Sequence, residues 1–113
     1  MTEKQQLYEG MYILNAALSD AARAAALQKL QEEIASQGGV IEKTLDWGRR
    51  RLAYEVEGKR EGYYYLLYFR APTPAMKELW HNYGLNPDLL RFMTMRTEKV
   101  LSEVKFKPLP GEL

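Results

Sequence analysis

The sequence contains no cysteine and only one histidine, His81, among its 113 residues. The lack of cysteine excludes disulfide frameworks, thiolate metal sites and cysteine nucleophiles, and one histidine cannot build a histidine metal cluster. The eight glycines form neither a Walker phosphate loop nor a Gly-x-Gly-x-x-Gly motif. No nucleophile turn lies near His81. We therefore expect no enzyme activity, no cofactor and no small-molecule substrate.

Net charge and long apolar segments are also scarce. Sixteen Lys and Arg against fifteen Asp and Glu give a formal charge of +1, so no strong overall field attracts nucleic acid. The charge is uneven, because residues 1–46 carry four bases and seven acids (−3) and residues 47–113 carry twelve and eight (+4). The longest apolar run, Tyr63 to Phe69, is far shorter than a membrane span. With no apolar signal core at the N-terminus, we expect a cytoplasmic protein without a membrane partner.

What the sequence does contain is typical of one folded domain. Hydrophobic residues make up 46% and charged residues 27%, which are ordinary proportions for a globular protein. Residues 99–113 include Pro108 and Pro110 and show no periodicity, so we predict a domain over residues 1–98 followed by a C-terminal tail.

Apolar periodicity predicts four strands and two helices. The strands are Leu7 to Asn15, Val40 to Val56, Tyr63 to Ala71 and Leu89 to Met95; the helices run from about Asp20 to Gln37 and from Thr73-Pro74 to Gly84. Their order, strand-helix-strand-strand-helix-strand, is that of the ferredoxin-like β-α-β-β-α-β unit. We predict an α+β fold in which a four-stranded antiparallel sheet carries both helices on one face and starts with its other face uncovered.

Three local features refine this prediction. The apolar parity of the second strand changes near Trp47 and Gly48, which predicts a β-bulge there. Residues 57–62 are polar and predict a turn between the second and third strands. Thr73 is the expected N-cap of the second helix, whose apolar stripe comprises Met76, Leu79, Trp80 and Tyr83.

The most informative segment runs from Trp47 to Tyr54 and reads Trp-Gly-Arg-Arg-Arg-Leu-Ala-Tyr. Three consecutive guanidinium groups offer bidentate donors to phosphate, and the adjacent tryptophan offers a stacking surface. The alternative is a solvated basic face that protects a strand edge from aggregation. Composition alone does not decide between a binding site and such an edge.

A second candidate contact surface surrounds the fourth strand. Arg91 shares its parity with Met93 and Met95, which predicts a cation among apolar side chains on the face opposite the helices, and Arg96 and Lys99 follow. Such a mixed patch suits contact with RNA or protein. The alternative is an arginine that only covers the methionines with its aliphatic stem.

Several segments together resemble the bacterial small-subunit ribosomal protein S6 family. They are Tyr8-Glu9, Ile13-Leu14-Asn15, Trp47 to Tyr54, Glu61-Gly62-Tyr63-Tyr64 through Phe69, and Leu90-Arg91. The resemblance covers roughly Leu7 to Lys99. It implies a non-enzymatic ferredoxin-like protein of the ribosome that binds the central domain of small-subunit ribosomal RNA together with ribosomal protein S18.

The resemblance also guides the assignment of contact residues. Arg49, Arg51 and Arg91 match basic positions of the family motifs, and Trp47, Leu52 and Tyr54 match its extended second strand. As a hypothesis, RNA binding is assigned to Arg49, Arg51, Arg91 and Arg96, and partner binding to Trp47, Arg50, Leu52, Tyr54 and Met93.

Two alternative functions share this order of elements. One is an RNA-recognition-motif-like binder of single-stranded RNA, which reads bases on exposed sheet aromatics. The Gly62-Tyr63-Tyr64-Tyr65 segment suits it superficially, but Glu61 stands where a basic residue is wanted. The other is a ferredoxin-like oligomeric ligand-binding domain.

Overall fold

The computed structural model describes residues 5–56 and 58–100, which form a four-stranded sheet and two helices. The elements are β1 (Gln5–Asn15), α1 (Asp20–Ser36), β2 (Val40–Val56), β3 (Lys59–Pro72), α2 (Ala75–Leu85) and β4 (Leu89–Arg96). The strand order is β2-β3-β1-β4 and every neighbouring pair is antiparallel. The predicted ferredoxin-like α+β fold is confirmed. Most of the predicted tail, residues 101–113, lies outside the described residues.

The larger core lies between the helices and the sheet. It is formed by alternate residues of β1 and β3 and by the inner faces of both helices: Tyr8, Tyr12, Leu14, Tyr65, Leu67, Phe69, Leu30, Ile34, Met76, Leu79 and Tyr83. The hydroxyls of Tyr12 and Tyr83 share a hydrogen bond of 2.9 Å inside this core. Burial raises the pKa of Tyr12 well above its usual value and that of Tyr83 to about 12. Both hydroxyls therefore stay protonated, and the bond holds at neutral pH.

Glu33 of α1 lies beside this tyrosine pair in an unfavourable environment for a carboxylate. Its buried Oε2 atom has no hydrogen-bond partner among the described residues, and burial raises the pKa of its carboxyl group. When folding raises the pKa of a carboxyl group, protonation of that group stabilises the folded state, and this contribution is complete at pH values below the pKa of the unfolded chain. That contribution is lost as the pH rises through the folded pKa.

Replacing Glu33 by Gln should therefore raise the free energy of unfolding at pH 7, by up to about 1 kcal/mol, because the neutral amide avoids the cost of burying a charge. The gain should shrink as the pH falls below 4, where both states protonate the glutamate. Urea unfolding at the two pH values measures the difference. Glu32→Gln, an exposed neighbour on the same helix, should change little. A gain of equal size at both pH values would contradict this explanation.

Several element boundaries differ from those predicted. Pro74 occupies the N-cap of α2 and no side chain caps the helix, so the predicted Thr73 cap is wrong. Thr73 instead contributes its carbonyl oxygen, which accepts from the amide of Met76 at 3.3 Å. α2 also continues through Gly84 to Leu85, which is one residue beyond the predicted end. β1 begins at Gln5, two residues before the prediction, because its ladder with β3 extends to Pro72.

The turn between β2 and β3 is tighter than predicted. β3 begins at Lys59, so residues 59–62 are strand rather than turn, and Gly58 has a positive φ of 77°. Polar side chains are compatible with this part of the strand because they remain in solvent. Lys59 and Arg60 are both exposed and align with the end of β2.

The predicted bulge in β2 is confirmed. Pairing with β3 skips Trp47, between Asp46 opposite Tyr65 and Gly48 opposite Tyr64. Gly48 has a φ of 76°, a conformation that few residues other than glycine adopt. The carboxylate of Asp46 accepts from the Gly48 amide at 2.8 Å, which fixes the bend. β4 contains a second irregularity, because its pairing with β1 skips Leu90. Regular alternation along the strand would place Leu90 and Phe92 on one face, but Leu90 packs on the side of the sheet away from the helices and Phe92 on the side of the helices.

The helix-free face of the sheet is not uncovered as predicted. A second apolar cluster lies there, with the buried residues Met11, Ile13, Leu52, Tyr64, Leu66 and Tyr68 and the half-buried residues Leu45, Trp47, Val56, Leu90 and Met93 packed against them. Leu52 comes from β2 beyond the bulge. The bend at Trp47 and Gly48 thus turns the far half of β2 toward this face and gives the sheet a second core.

Candidate functional site

The β2–β3 hairpin determines which way its arginines point. Arg49, Arg50 and Arg51 pair with Tyr63, Gly62 and Glu61 of β3. Because side chains alternate along a strand, Arg49 and Arg51 share one face and Arg50 lies on the other. Arg50 donates from Nε to the carbonyl oxygen of Trp47 at 3.0 Å, across the bulge. The arginine run is therefore divided between the two faces of the hairpin.

Arg49 and Arg51 line an open concavity of about 530 Å³, here called the basic concavity. Its other cations are Lys59 and Arg60 from the start of β3, and its opposite wall is the β1–α1 loop at residues 15–17. Arg49 contacts Glu61 at 2.8 Å from Nε, and Arg60 contacts Glu55 at 2.9 Å. Sequence reasoning missed Lys59 and Arg60. Their position directly across the turn from the arginine run was the available signal.

The basic concavity keeps positive charge in excess. Its four cations face two carboxylates, and the side chains of Arg51 and Lys59 form no hydrogen bond or ion pair with any described residue. The hydrogen bond that Arg49 donates to Glu61 raises the pKa of Arg49, which is exposed, so its guanidinium is fully charged. Exposed ion pairs contribute little to stability because water screens them, so an incoming anion can displace Glu61 from Arg49 at small cost. The arrangement suits the binding of phosphate groups.

Other chemistries find no support in the described part of the chain. Residues 5–56 and 58–100 hold no group of three or more side chains suited to ligating a metal ion. His81, the one imidazole, is exposed on α2. None of the helices formed by these residues is apolar enough over sufficient length to cross a membrane.

The residues predicted to bind a protein partner gather on the helix-free face. Trp47, Leu52 and Met93 pack in the second cluster, and Tyr54 lies on the same side with its ring 48% exposed. Leu52 is only 5% exposed, so it packs within the protein and offers little surface to a partner. Trp47 and Met93 are half-buried, which leaves part of each side chain at the surface.

Arg91 of β4 is held by Tyr54 of β2. Its Nη1 atom donates to the tyrosine hydroxyl at 2.6 Å, and its guanidinium lies 5.8 Å from the ring centroid. β2 and β4 are the two edges of the sheet, about 14 Å apart if the sheet were flat. The contact therefore requires the far half of β2 to bend across the helix-free face. Arg91 does lie on that face, as its parity predicted.

Arg96 is separated from the other predicted RNA contacts. It is exposed at the end of β4, opposite Tyr8 of β1. The structure therefore brings together Arg49 and Arg51 at the basic concavity, joins Arg91 to Tyr54 on the helix-free face, and leaves Arg96 apart from both.

Comparison with known proteins gives one consistent family. Residues 7–96 match the sequence model of the family described as Ribosomal protein S6. A curated relative from Protochlamydia amoebophila, named small ribosomal subunit protein bS6, is 54% identical over 110 residues, covering 96% of each chain. A relative of the same name from Chlamydia pneumoniae is 48% identical over 108 residues, again covering 96% of each chain.

The fold has a solved counterpart. The crystal structure of 30S ribosomal protein S6 from Thermotoga maritima superposes with a TM-score of 0.79 at 29% sequence identity. The match covers 83% of this chain and 89% of that one. Sequence and structure thus agree on the same family over most of the chain.

Proposed function

The chain belongs to the ribosomal protein S6 family, and from that premise we propose that it binds the central domain of small-subunit ribosomal RNA together with ribosomal protein S18. As a small-subunit ribosomal protein it is a structural component of the cytoplasmic ribosome and not an enzyme.

The observation that carries the RNA proposal is the basic concavity. Arg51 and Lys59 have no anionic partner among the described residues, and Arg49 has only an exposed one. Structured RNA is recognised largely through its phosphates and its shape, which such a concave group of cations fits. Arg91 and Arg96 remain predicted RNA contacts, with Arg91 oriented by Tyr54.

The helix-free face supports the protein partner. Trp47, Tyr54 and Met93 expose apolar area there, and Arg50 lies on the same side of the hairpin. Partly exposed aromatic residues, methionine and arginine are the residue types enriched at protein interfaces. Leu52 supports this surface from below rather than contacting the partner directly.

The alternative of an RNA-recognition-motif-like binder finds no platform on this sheet. Bases would have to stack on aromatic rings of the central strands, on the face away from the helices. The rings there are Tyr64 and Tyr68 of β3, with exposed fractions of 1% and 0%. Tyr64 and Tyr68 are core residues and offer no ring surface on which a base could stack. No observation favours the oligomeric ligand-binding alternative over the family's role.

Replacing Arg51 by Ala should weaken binding to a central-domain RNA fragment and make the dependence on salt shallower. One lost phosphate contact reduces the slope of log K against log salt concentration by about 1 at most. Filter binding from low to moderate salt, with S18 present, measures both quantities. Arg49→Ala should act similarly, with a smaller loss because Glu61 already compensates part of its charge.

Arg70→Ala is the matched control for these variants. Arg70 is an exposed strand arginine whose Nε contacts Glu42 at 3.0 Å, on a different part of the hairpin. Its removal should change neither the affinity nor the salt slope. If Arg49→Ala and Arg51→Ala both match this control, the basic concavity does not contact RNA.

A further inference from the structure

The outer side of β4 has no strand beside it among the described residues. The amide of Thr97 donates to the carbonyl of Leu7 in β1 at 3.0 Å, which fixes the phase of the ladder between β1 and β4. Hydrogen-bonded and non-hydrogen-bonded pairs alternate along antiparallel strands, so Met93 and Met95 bond inward to β1. Phe92, Thr94 and Arg96 therefore direct their backbone N–H and C=O groups outward.

The other edge of the sheet has features that block strand pairing, whereas, within residues 5–56 and 58–100, nothing blocks pairing along residues 92–95 of the β4 edge. β2 has three breaks in its register with β3 and three consecutive arginines, features that prevent another strand from pairing. Residues 92–95 of β4 are uncharged and keep unbroken register with β1. A regular edge of this kind is the usual template for an added strand.

Trp80 of α2 adds a side-chain surface to this edge. Its indole Nε1 donates to Thr94 Oγ1 at 2.7 Å, so the ring is fixed beside the strand instead of joining the core as predicted. The ring is 46% exposed, and Met95 on the opposite face is 48% exposed. A strand added along β4 would find an apolar contact on each of its two faces.

We propose that the β4 edge binds an extended segment of another protein, with an acidic residue opposite Arg96 and an apolar residue opposite Thr94 and Trp80. These partners lie two residues apart on one face of a strand, so an antiparallel segment would read acidic-x-apolar. The β4 edge presents backbone N–H donors and C=O acceptors in alternation, and an extended polypeptide presents the complementary alternation. A phosphate group offers only acceptor oxygens, which the outward carbonyl oxygens of β4 would repel.

A second copy of this chain is a poor occupant. β4 carries Arg91 and Arg96 and no acidic residue. Pairing it with β4 of another copy would bring four guanidinium groups along two strands with no carboxylate between them. The basic edge complements an acidic segment instead.

The test uses the full chain and a seven-residue probe peptide, acetyl-Ser-Glu-Thr-Val-Thr-Val-Ser-amide, and a matched peptide with Lys in place of Glu. We expect the acidic peptide to bind about three- to tenfold more tightly, because the two peptides differ only in the charge opposite Arg96. Amide exchange followed by NMR should show new protection at Phe92, Thr94 and Arg96 and no change at Met93. Arg96→Glu should reverse the preference between the two peptides, and Arg70→Glu should not.

At Arg96 the proposal puts a protein contact in place of the RNA contact predicted from the sequence. Because the assay contains neither RNA nor S18, its failure would leave the proposed RNA binding at the basic concavity untouched. Equal binding of the two peptides, or no new protection at Phe92, Thr94 and Arg96 at millimolar peptide, would overturn it. Protection of these amides by central-domain RNA in place of peptide would also overturn it, and would assign the edge to RNA. Self-association of the unmodified chain in sedimentation, with protection of the Phe92, Thr94 and Arg96 amides, would overturn it and assign the edge to a second copy.

Discussion

Replacing Leu52 by Ala should lower the free energy of unfolding by about 2–4 kcal/mol, the usual cost of removing a buried leucine side chain. Leu52 is 5% exposed and packs in the second cluster, on the face that carries no helix. It belongs to the far half of β2, beyond the bulge, so its burial depends on the bend of the hairpin. Chemical denaturation of the variant measures the loss.

Leu85→Ala is the matched control, because Leu85 is 69% exposed at the end of α2. Its change should stay within about 0.5 kcal/mol, as is usual for exposed positions. A loss for Leu52→Ala no larger than that of the control would mean that the hairpin does not pack on the sheet. Retention of native amide protection in α1 and α2 would show that the variant still folds.

The hairpin bend links the fold to the candidate site. The same bend buries Leu52 and brings Tyr54 to Arg91. Gly48 permits this bend through its positive φ, and nothing lies within 4 Å of where a Cβ would stand. Conformation rather than space therefore requires glycine there.

Local patterns were sufficient to predict the architecture of this protein. A change of apolar parity beside a glycine implies an inserted residue, because a strand with period two can keep one face buried in no other way. That argument located the Trp47 bulge correctly. The order of the six elements then fixed the sheet and the position of both helices on one face.

Features that depend on distant contacts could not be predicted in this way. Trp80 follows the helical spacing of the core residues, yet it lies at the surface because Thr94 of β4 accepts its indole N–H. Thr94 and Trp80 are close only after the strands have paired. The burial of Leu52 likewise needs β1 and β3 beneath the bent hairpin.

The charges of the candidate site show the same limit. Arg49 and Arg51 belong to a run of three arginines that the sequence shows directly, whereas the polar pattern of residues 57–62 predicts that Lys59 and Arg60 lie in a turn. The tight turn at Gly58 makes them strand residues, and they line the same concavity as Arg49 and Arg51. A basic surface built from two strands depends on their register, which the turn determines.

The protein alone should bind central-domain RNA poorly, and S18 should raise its affinity by at least about tenfold, which corresponds to 1.4 kcal/mol. The basic concavity carries four cations, and two of them already contact glutamates. Few phosphate contacts give weak binding at physiological salt, because affinity for nucleic acid follows the number of neutralised phosphates. A partner that adds its own contacts and orders the surface supplies the remainder.

Two variants separate the contributions of RNA and partner. Tyr54→Ala removes exposed aromatic surface from the helix-free face and leaves the basic concavity intact. It should therefore reduce the gain from S18 by a larger factor than it reduces the weak affinity of the protein alone, which loses only the orientation of Arg91. Arg51→Ala should lower the affinity by a similar factor with and without S18, because its side chain points into the basic concavity. Filter-binding titrations at fixed salt measure all four combinations. Equal affinity of the unmodified protein with and without S18 would refute the partner requirement. If Tyr54→Ala lowered the affinity for RNA by the same factor with and without S18, Tyr54 would act on the RNA contact and not on the partner.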